Sequence, residues 1–222
     1  MIKEKTLKGI IFDLDGTLAN TLPLCVRAYQ QVLLTMFHRE YAAAEIMAHF
    51  GRSEEGVFEQ IVADQWQACF QQYLLVYEQL HWQCPEPFPG IRRALDLLRQ
   101  RNIALALVTG KGRETTDCTL RYLGLTDYFQ PVETGSPLGV VKAECIQRVL
   151  DEWDIAPQHV AYVGDTVSDM DEAHKAGILP LRASWGDAAY SETHKEAEHA
   201  YAEFRYVEQF MVWVEQYIEP HK

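Results

Sequence analysis

Apolar and polar positions change rhythm several times along the chain. Residues 7–13, "LKGIIFD", form a short apolar run closed by an acid, which predicts a buried strand ending at Asp13. Gly16 and Thr17 then predict a turn. From Leu22 to Tyr41 the period lengthens to that of a helix, with Leu24, Ala28, Val32 and Met36 four residues apart. Residues 42–84 keep a helical texture, and their aromatics (Phe58, Trp66, Phe70, Tyr73, Tyr77) recur at spacings that predict a helix-bundle core. The stretch "CPEPFPG", Cys84 to Gly90, places three prolines in five positions and marks a boundary.

Beyond that boundary helices and strands alternate. "IRRALDLLRQRN" predicts a helix and "IALALVTG" a buried strand. "RETTDCTLRYLGL" predicts a helix stopped by Gly124, and "YFQPVETG" a short strand. "KAECIQRVLDEWD", "HVAYVGD", "MDEAHKAG" and "ILPLRAS" continue the alternation, and "FRYVEQFMVWVEQYI" predicts an amphipathic C-terminal helix. Such alternation specifies an α/β fold, a Rossmann-like doubly wound parallel sheet with right-handed crossovers. Residues 1–19 and 86–222 are expected to form this core, and residues 20–85 an inserted α-helical cap domain. The polar run 187–203 is expected to be a solvated surface segment.

Composition adds limits. The 222 residues are 48% hydrophobic and 23% charged, as in ordinary globular chains. No apolar run approaches the roughly 20 residues of a membrane span. The start, "MIKEKTLKGIIFD", lacks a signal-peptide pattern, so a cytoplasmic protein is expected. A net charge of −12 disfavours nucleic acid and anionic membrane as partners. The five cysteines are scattered, with no CxxC pair, which argues against a disulfide framework or a cysteine zinc site. The eight histidines show no metal-ligand spacing.

In open parallel sheets ligands bind at the carboxyl ends of the strands. Three predicted strands end in reactive residue types: Asp13 and Asp15; Thr109 and Gly110; Gly164 and Asp165, with Asp169 four residues on. Lys142 opens a helix between the last two. The crevice would gather four carboxylates, one lysine and one hydroxyl. Clustered carboxylates repel unless a hard cation neutralises them, and Mg²⁺ suits carboxylates, waters and substrate phosphate. Lysine, threonine and loop N–H groups suit phosphate oxygens. One carboxylate aimed at phosphorus would be a nucleophile, and a second would move protons.

These motifs in this order, "DLDGT", "VTGK", a lysine opening a helix and "VGDTVSDMDEAHKAG", resemble the haloacid dehalogenase superfamily, in its phosphoglycolate-phosphatase-like branch with a helical cap. The resemblance spans Ile10 to Gly177. It implies Asp13 as nucleophile and Asp15 as general acid/base. It implies Thr109, Gly110 and Lys142 as phosphate ligands. Mg²⁺ would be held by Asp13, the carbonyl of Asp15, and Asp165, with Asp169 binding directly or through water. The implied activity is hydrolysis of a small phosphate monoester through an aspartyl-phosphate, the substrate being phosphoglycolate-like, a sugar phosphate or a nucleotide.

A β-phosphoglucomutase-like mutase and an inorganic pyrophosphatase are alternative activities, and a catalytically silent phosphate-ligand binding protein is the alternative outside enzymology. Asp15 argues against dehalogenation, because a halide needs no proton donor. The loop "AHFGRSEEG" offers no lysine for a phosphonatase Schiff base. Cys25 and Glu54 stand where the mutases carry a histidine and a base. Arg52 is expected to read a second anionic group of the substrate from the cap, Arg27 being the weaker candidate, and Lys111 is expected at the crevice rim. The chain is expected to act as a monomer or homodimer on a small phosphorylated metabolite.

Overall fold

A computed structural model describes residues 6–186 and 196–218. Among the described residues six strands form one sheet: β1 (Gly9–Phe12), β2 (Ala104–Val108), β3 (Val132–Glu133), β4 (Val160–Gly164), β5 (Leu179–Ala183) and β6 (Ala202–Phe204). Their order is β3-β2-β1-β4-β5-β6 and every pairing is parallel. This is the α/β Rossmann-like arrangement that the alternation predicts. The chain order reverses at β1, which lies between β2 and β4. Such a switch point opens a crevice at the carboxyl ends of the strands.

The period-two pattern of β1 explains why it sits centrally. Ile10 and Phe12 enter one hydrophobic cluster with Leu105 and Leu107, and Ile11 enters the opposite one with Ala106, Val108 and Tyr162. A strand buried on both faces reads as a continuous apolar run. Each such side chain contributes roughly 1.5–3 kcal/mol by leaving water, so this strand is a rigid mount for Asp13 and the turn beyond it.

Between β1 and β2 the chain forms α1 (Leu22–Phe37), α2 (Ala43–Met47), α3 (Glu54–Val62), α4 (Trp66–Leu80) and α5 (Ile91–Gln100). The apolar pattern of α1 runs to Tyr41, but the helix stops at Phe37, where His38 takes a left-handed φ of 53° and its N–H caps the Leu34 carbonyl. The aromatics of this region do form a helical core. The rings of Tyr29, Phe58 and Tyr73 lie with centroids 4.5–5.6 Å apart.

After β2 come α6 (Arg113–Tyr122), α7 (Lys142–Trp153), α8 (Val167–Lys175) and α9 (Val207–Val214). The C-terminal helix is shorter than its pattern, because Phe204 belongs to β6. Phe210 of α9 packs on Phe12 and Phe204, with ring centroids 6.0 and 5.7 Å away, so its apolar face covers the sheet. Of the polar run 187–203, residues 187–195 lie outside the described residues. Ala202 and Glu203 are not loop but edge strand: β6 pairs with β5, and Phe204 anchors it in the core. Among the described residues no helix is long and apolar enough to cross a membrane, and all five cysteines are free thiols.

Candidate active site

Parallel pairing fixes the strand ends at one edge. Phe12 lies beside Leu107 on one side and Val163 on the other. Asp13, Thr109 and Asp165 therefore emerge together, one or two residues beyond those partners. With Asp15, Gly110, Lys142, Asp169 and Arg52 they line one cavity of about 340 Å³, between the sheet edge and the helices α1–α4. Every candidate side chain from the sequence faces the same space except Arg27, which is exposed and pairs with Gln83.

Around Asp13 everything comes from the sheet side. Its Oδ1 accepts the Leu14 N–H at 2.7 Å, and its Oδ2 accepts from Lys142 Nζ at 2.6 Å. Lys142, the first residue of α7, also donates to Asp169 Oδ1. One oxygen each of Asp13, Asp165 and Asp169 lie within 4.8 Å of one another. Burial pushes the Asp13 carboxyl up to about 6, with the negative charges of Asp169 and Asp15 adding to the shift and Lys142 opposing it. Burial, then Asp169 and Asp13, drive Asp165 well above the usual carboxylate range. Burial opposes charge on Lys142, but Asp13 and Asp169 outweigh it and hold the ammonium protonated.

The acidic cluster fits a divalent cation. Asp165 Oδ1 accepts from Thr17 Oγ1 at 3.2 Å, while Asp165 Oδ2 is buried without any hydrogen-bond partner. An orphaned carboxylate oxygen beside two more carboxylates calls for a positive ligand. Gly16, at φ +76°, lets the turn after β1 close over it: a Cβ there would collide with Asp165 Oδ2. Asp169 is differently placed. Its Oδ2 accepts from Thr166 N at 3.0 Å and Thr166 Oγ1 at 2.8 Å, forming the capping box of α8. With Lys142 on its other oxygen, Asp169 both caps a helix and positions the lysine.

The second acid has other company. Asp15 accepts from Thr21 Oγ1 and pairs through Oδ2 with Lys111 Nζ at 3.4 Å. Lys111 is not at the rim. It is buried, with Cys25 Sγ at 3.2 Å, Glu54 Oε1 at 3.4 Å and the ring of Tyr77 beneath it. Burial works against its charge, but Asp15 above all, then Cys25, Tyr77 and Glu54, keep it well above the ordinary lysine range. Glu54, at the start of α3, accepts from Gly112 N at 2.6 Å and Thr115 Oγ1 at 2.5 Å, so an acid of the helical insertion caps α6. No local pattern foretells this: Lys111 and Glu54 are far apart in sequence, and only packing joins them. Thr17 and Thr21, which steady Asp165 and Asp15, do have a signal, their place in "DGTLANT".

Thr109 is buried, with its Oγ1 taking the Lys111 N–H at 3.3 Å, and Gly110 leaves open space at its Cα. Arg52 lines the cavity, but its Nη1 rests on the carbonyls of Pro137 at 3.2 Å and Leu138 at 2.8 Å. It thus ties the helical insertion to the loop before α7.

Residues 10–182 match the model of the haloacid dehalogenase-like hydrolases. The chain belongs to this family. A pyrophosphatase PpaX of Bacillus anthracis is 27% identical over 193 residues, covering 85% of this chain and 89% of that protein. Among solved structures, the haloacid dehalogenase-like hydrolase SP0104 of Streptococcus pneumoniae superposes with a TM-score of 0.76 at 24% identity, covering 93% and 98% of the two chains. A predicted phosphoglycolate phosphatase from Haemophilus somnus gives a TM-score of 0.64 at 21% identity, covering 81% and 86%. The two structural likenesses carry the haloacid dehalogenase-like fold.

Proposed function

We propose that this chain is a Mg²⁺-dependent phosphatase of small phosphate monoesters. The observation that carries the reading is the separation of the two acids after β1. Asp13 is held among Lys142, Asp165 and Asp169, whereas Asp15, two residues on, is held by Lys111 and Thr21. Neighbouring carboxyls in different electrostatic settings take different roles. Asp13 attacks phosphorus and carries the phosphoryl group as an aspartyl-phosphate. Asp15 gives its proton to the leaving oxygen, then takes one from the attacking water. Thr109, the Gly110 N–H and Lys142 hold the phosphoryl oxygens. Asp13, Asp165 and the Asp15 carbonyl would hold Mg²⁺, with Asp169 steadying Lys142. When bound, the ion supplies charge neutralisation for the transferring phosphoryl group.

Residues 20–85 act in this reading as a lid, hinged near Asn20–Thr21 and at Cys84–Gly90, that excludes bulk water. Arg52 shapes its mouth. Mutase chemistry is the weaker reading, because Cys25 and Glu54 occupy the lid positions that would need a histidine and a base. The metabolite is met in the cytoplasm, and no nucleic acid or membrane takes part.

The test is release of p-nitrophenol from p-nitrophenyl phosphate with Mg²⁺ and with excess EDTA. Turnover that requires the metal and vanishes in Asp13→Asn is expected. Metal-independent turnover, or an unchanged Asp13→Asn, overturns the reading.

A further inference from the structure

Beyond the phosphoryl-binding edge, the cavity has a distinct chemistry. Its walls from the helical insertion are Leu22, Tyr29, Met47, Phe50 and Tyr73, with Val140 opposite. Tyr29 and Tyr73 are ring to ring at 4.5 Å, and Tyr29 and Phe50 at 6.2 Å, so buried rings back the half-buried Phe50 in the wall. The Tyr73 hydroxyl is buried with no hydrogen-bond partner.

The charges of the same cavity do not balance. Its lining holds five carboxylates (Asp13, Asp15, Glu54, Asp165, Asp169) against three cations (Arg52, Lys111, Lys142), an excess of two negative charges. Each cation is also engaged: Lys142 by Asp13 and Asp169, Lys111 by Asp15 and Glu54, and Arg52 Nη1 by two carbonyls. One divalent cation offsets that excess, and a dianionic phosphoryl group then restores it. A carboxylate or second phosphate on the leaving group would then meet Glu54 and no unengaged lysine. In a partly enclosed site the effective dielectric is below that of water, and like charge is rejected.

We infer that the substrate is a phosphate monoester whose leaving alcohol is small, uncharged and presents an apolar face, and that phosphoglycolate and pyrophosphate are selected against. The cavity volume of about 340 Å³ sets the size, near the lower end of small-molecule sites. The apolar face lies on Leu22, Met47 and Phe50, with Val140 opposite. Glu54 adds its charge to that of Asp15 around Lys111, so the leaving-group side offers anions a lysine already offset by two carboxylates. This inference rests on the phosphatase reading for its site but not on turnover for its test.

The test compares near-isosteric esters on the full chain with Mg²⁺: propyl phosphate against phosphoglycolate, with benzyl phosphate and pyrophosphate as further probes. Binding is read as thermal stabilisation of Asp13→Asn, which cannot form the aspartyl-phosphate, and turnover of the unaltered protein is read in parallel. Propyl and benzyl phosphate should bind about ten-fold more tightly than phosphoglycolate or pyrophosphate, equivalent to ~1.4 kcal/mol. Equal or tighter binding of either anionic probe overturns the inference. If the uncharged esters bind preferentially yet none turns over, the phosphatase reading falls and the selectivity stands. Glu54→Gln removes one of the two carboxylates on Lys111, leaving Asp15, and should shift the preference toward phosphoglycolate by about ten-fold. Met47→Lys, at a half-buried wall position, should shift it in the same direction. An unchanged preference in both variants overturns the inference.

Discussion

Two lysines, Lys111 buried and Lys142 half-buried, each lie between two carboxylates beyond β1, and they differ in where their partners come from. Lys142 joins Asp13 to Asp169, and all three belong to the sheet edge and its helices. Lys111 joins Asp15 to Glu54, with Cys25 and Tyr77 around it. Three of those four partners ride on α1, α3 and α4. The Asp13 side is thus complete within the sheet, whereas the Asp15 side is complete only while the helical insertion sits on it. In the proposed reading, one strand therefore carries a preformed nucleophile site and a contingent proton-transfer site.

The largest predicted effect tests the preformed side. Lys142→Ala leaves three carboxylates together without their cation and removes the proposed phosphate ligand. Its kcat/KM should fall about 10³-fold, or ~4 kcal/mol, the scale of losing one preorganised stabiliser of transition-state charge. Its helices α1–α4 should keep their native hydrogen exchange. Faster exchange there would merge the two sides that the comparison separates.

Lys111→Met should act more weakly and elsewhere. It strands Asp15 and Glu54, and kcat should fall about 10- to 100-fold, within the range of general acid–base catalysis. Amides of α1, α3 and the first turn of α6 should exchange faster, because Glu54 loses the partner that holds it over Gly112 and Thr115. Exchange unchanged in α1 and α3 would break the link between that lysine and the insertion.

A smaller effect comes from the Asp13 carboxyl, which stands at about 6 in the folded chain against an ordinary aspartate value of 3.8. A raised folded-state pKa means that the folded chain holds the proton more tightly. This contribution to stability is therefore fully present below pH 3.8 and is lost as pH rises through 6, by about 3 kcal/mol in total. Above that window, in the proposed reading, a cation takes the proton's place. Mg²⁺ should accordingly raise the melting temperature more at a pH about one to two units above that pKa than at one about a unit below it, and Asp13→Asn should remove much of the difference. An equal rise at both pH values would contradict this account of the cluster.

The sequence made the sheet legible because each buried strand is apolar and each ends in polar residue types, Asp13, Thr109 and Asp165. It made the Lys142 side legible too, since Lys142 opens a helix and Asp169 sits in the first turn of another. The Lys111 side was not legible. A lysine after "VTG" reads as a rim residue until the insertion covers it, and Glu54 acquires its role only through Gly112 and Thr115, contacts between segments distant in the chain. The end of α1 at His38 and the edge strand at Ala202–Phe204 were hidden for a related reason. A left-handed residue and a three-residue strand leave little periodicity to read.

The central claim is that Asp13 carries the phosphoryl group while Asp15 moves the proton. Acid quenching during turnover with Mg²⁺, then mass analysis of the peptides, tests it most directly. The account predicts one phosphoryl group on Asp13, absent with EDTA and more abundant in Asp15→Asn, where water attack is unassisted. Steady turnover with no phosphoryl group on Asp13, or with the group on another residue, would contradict it.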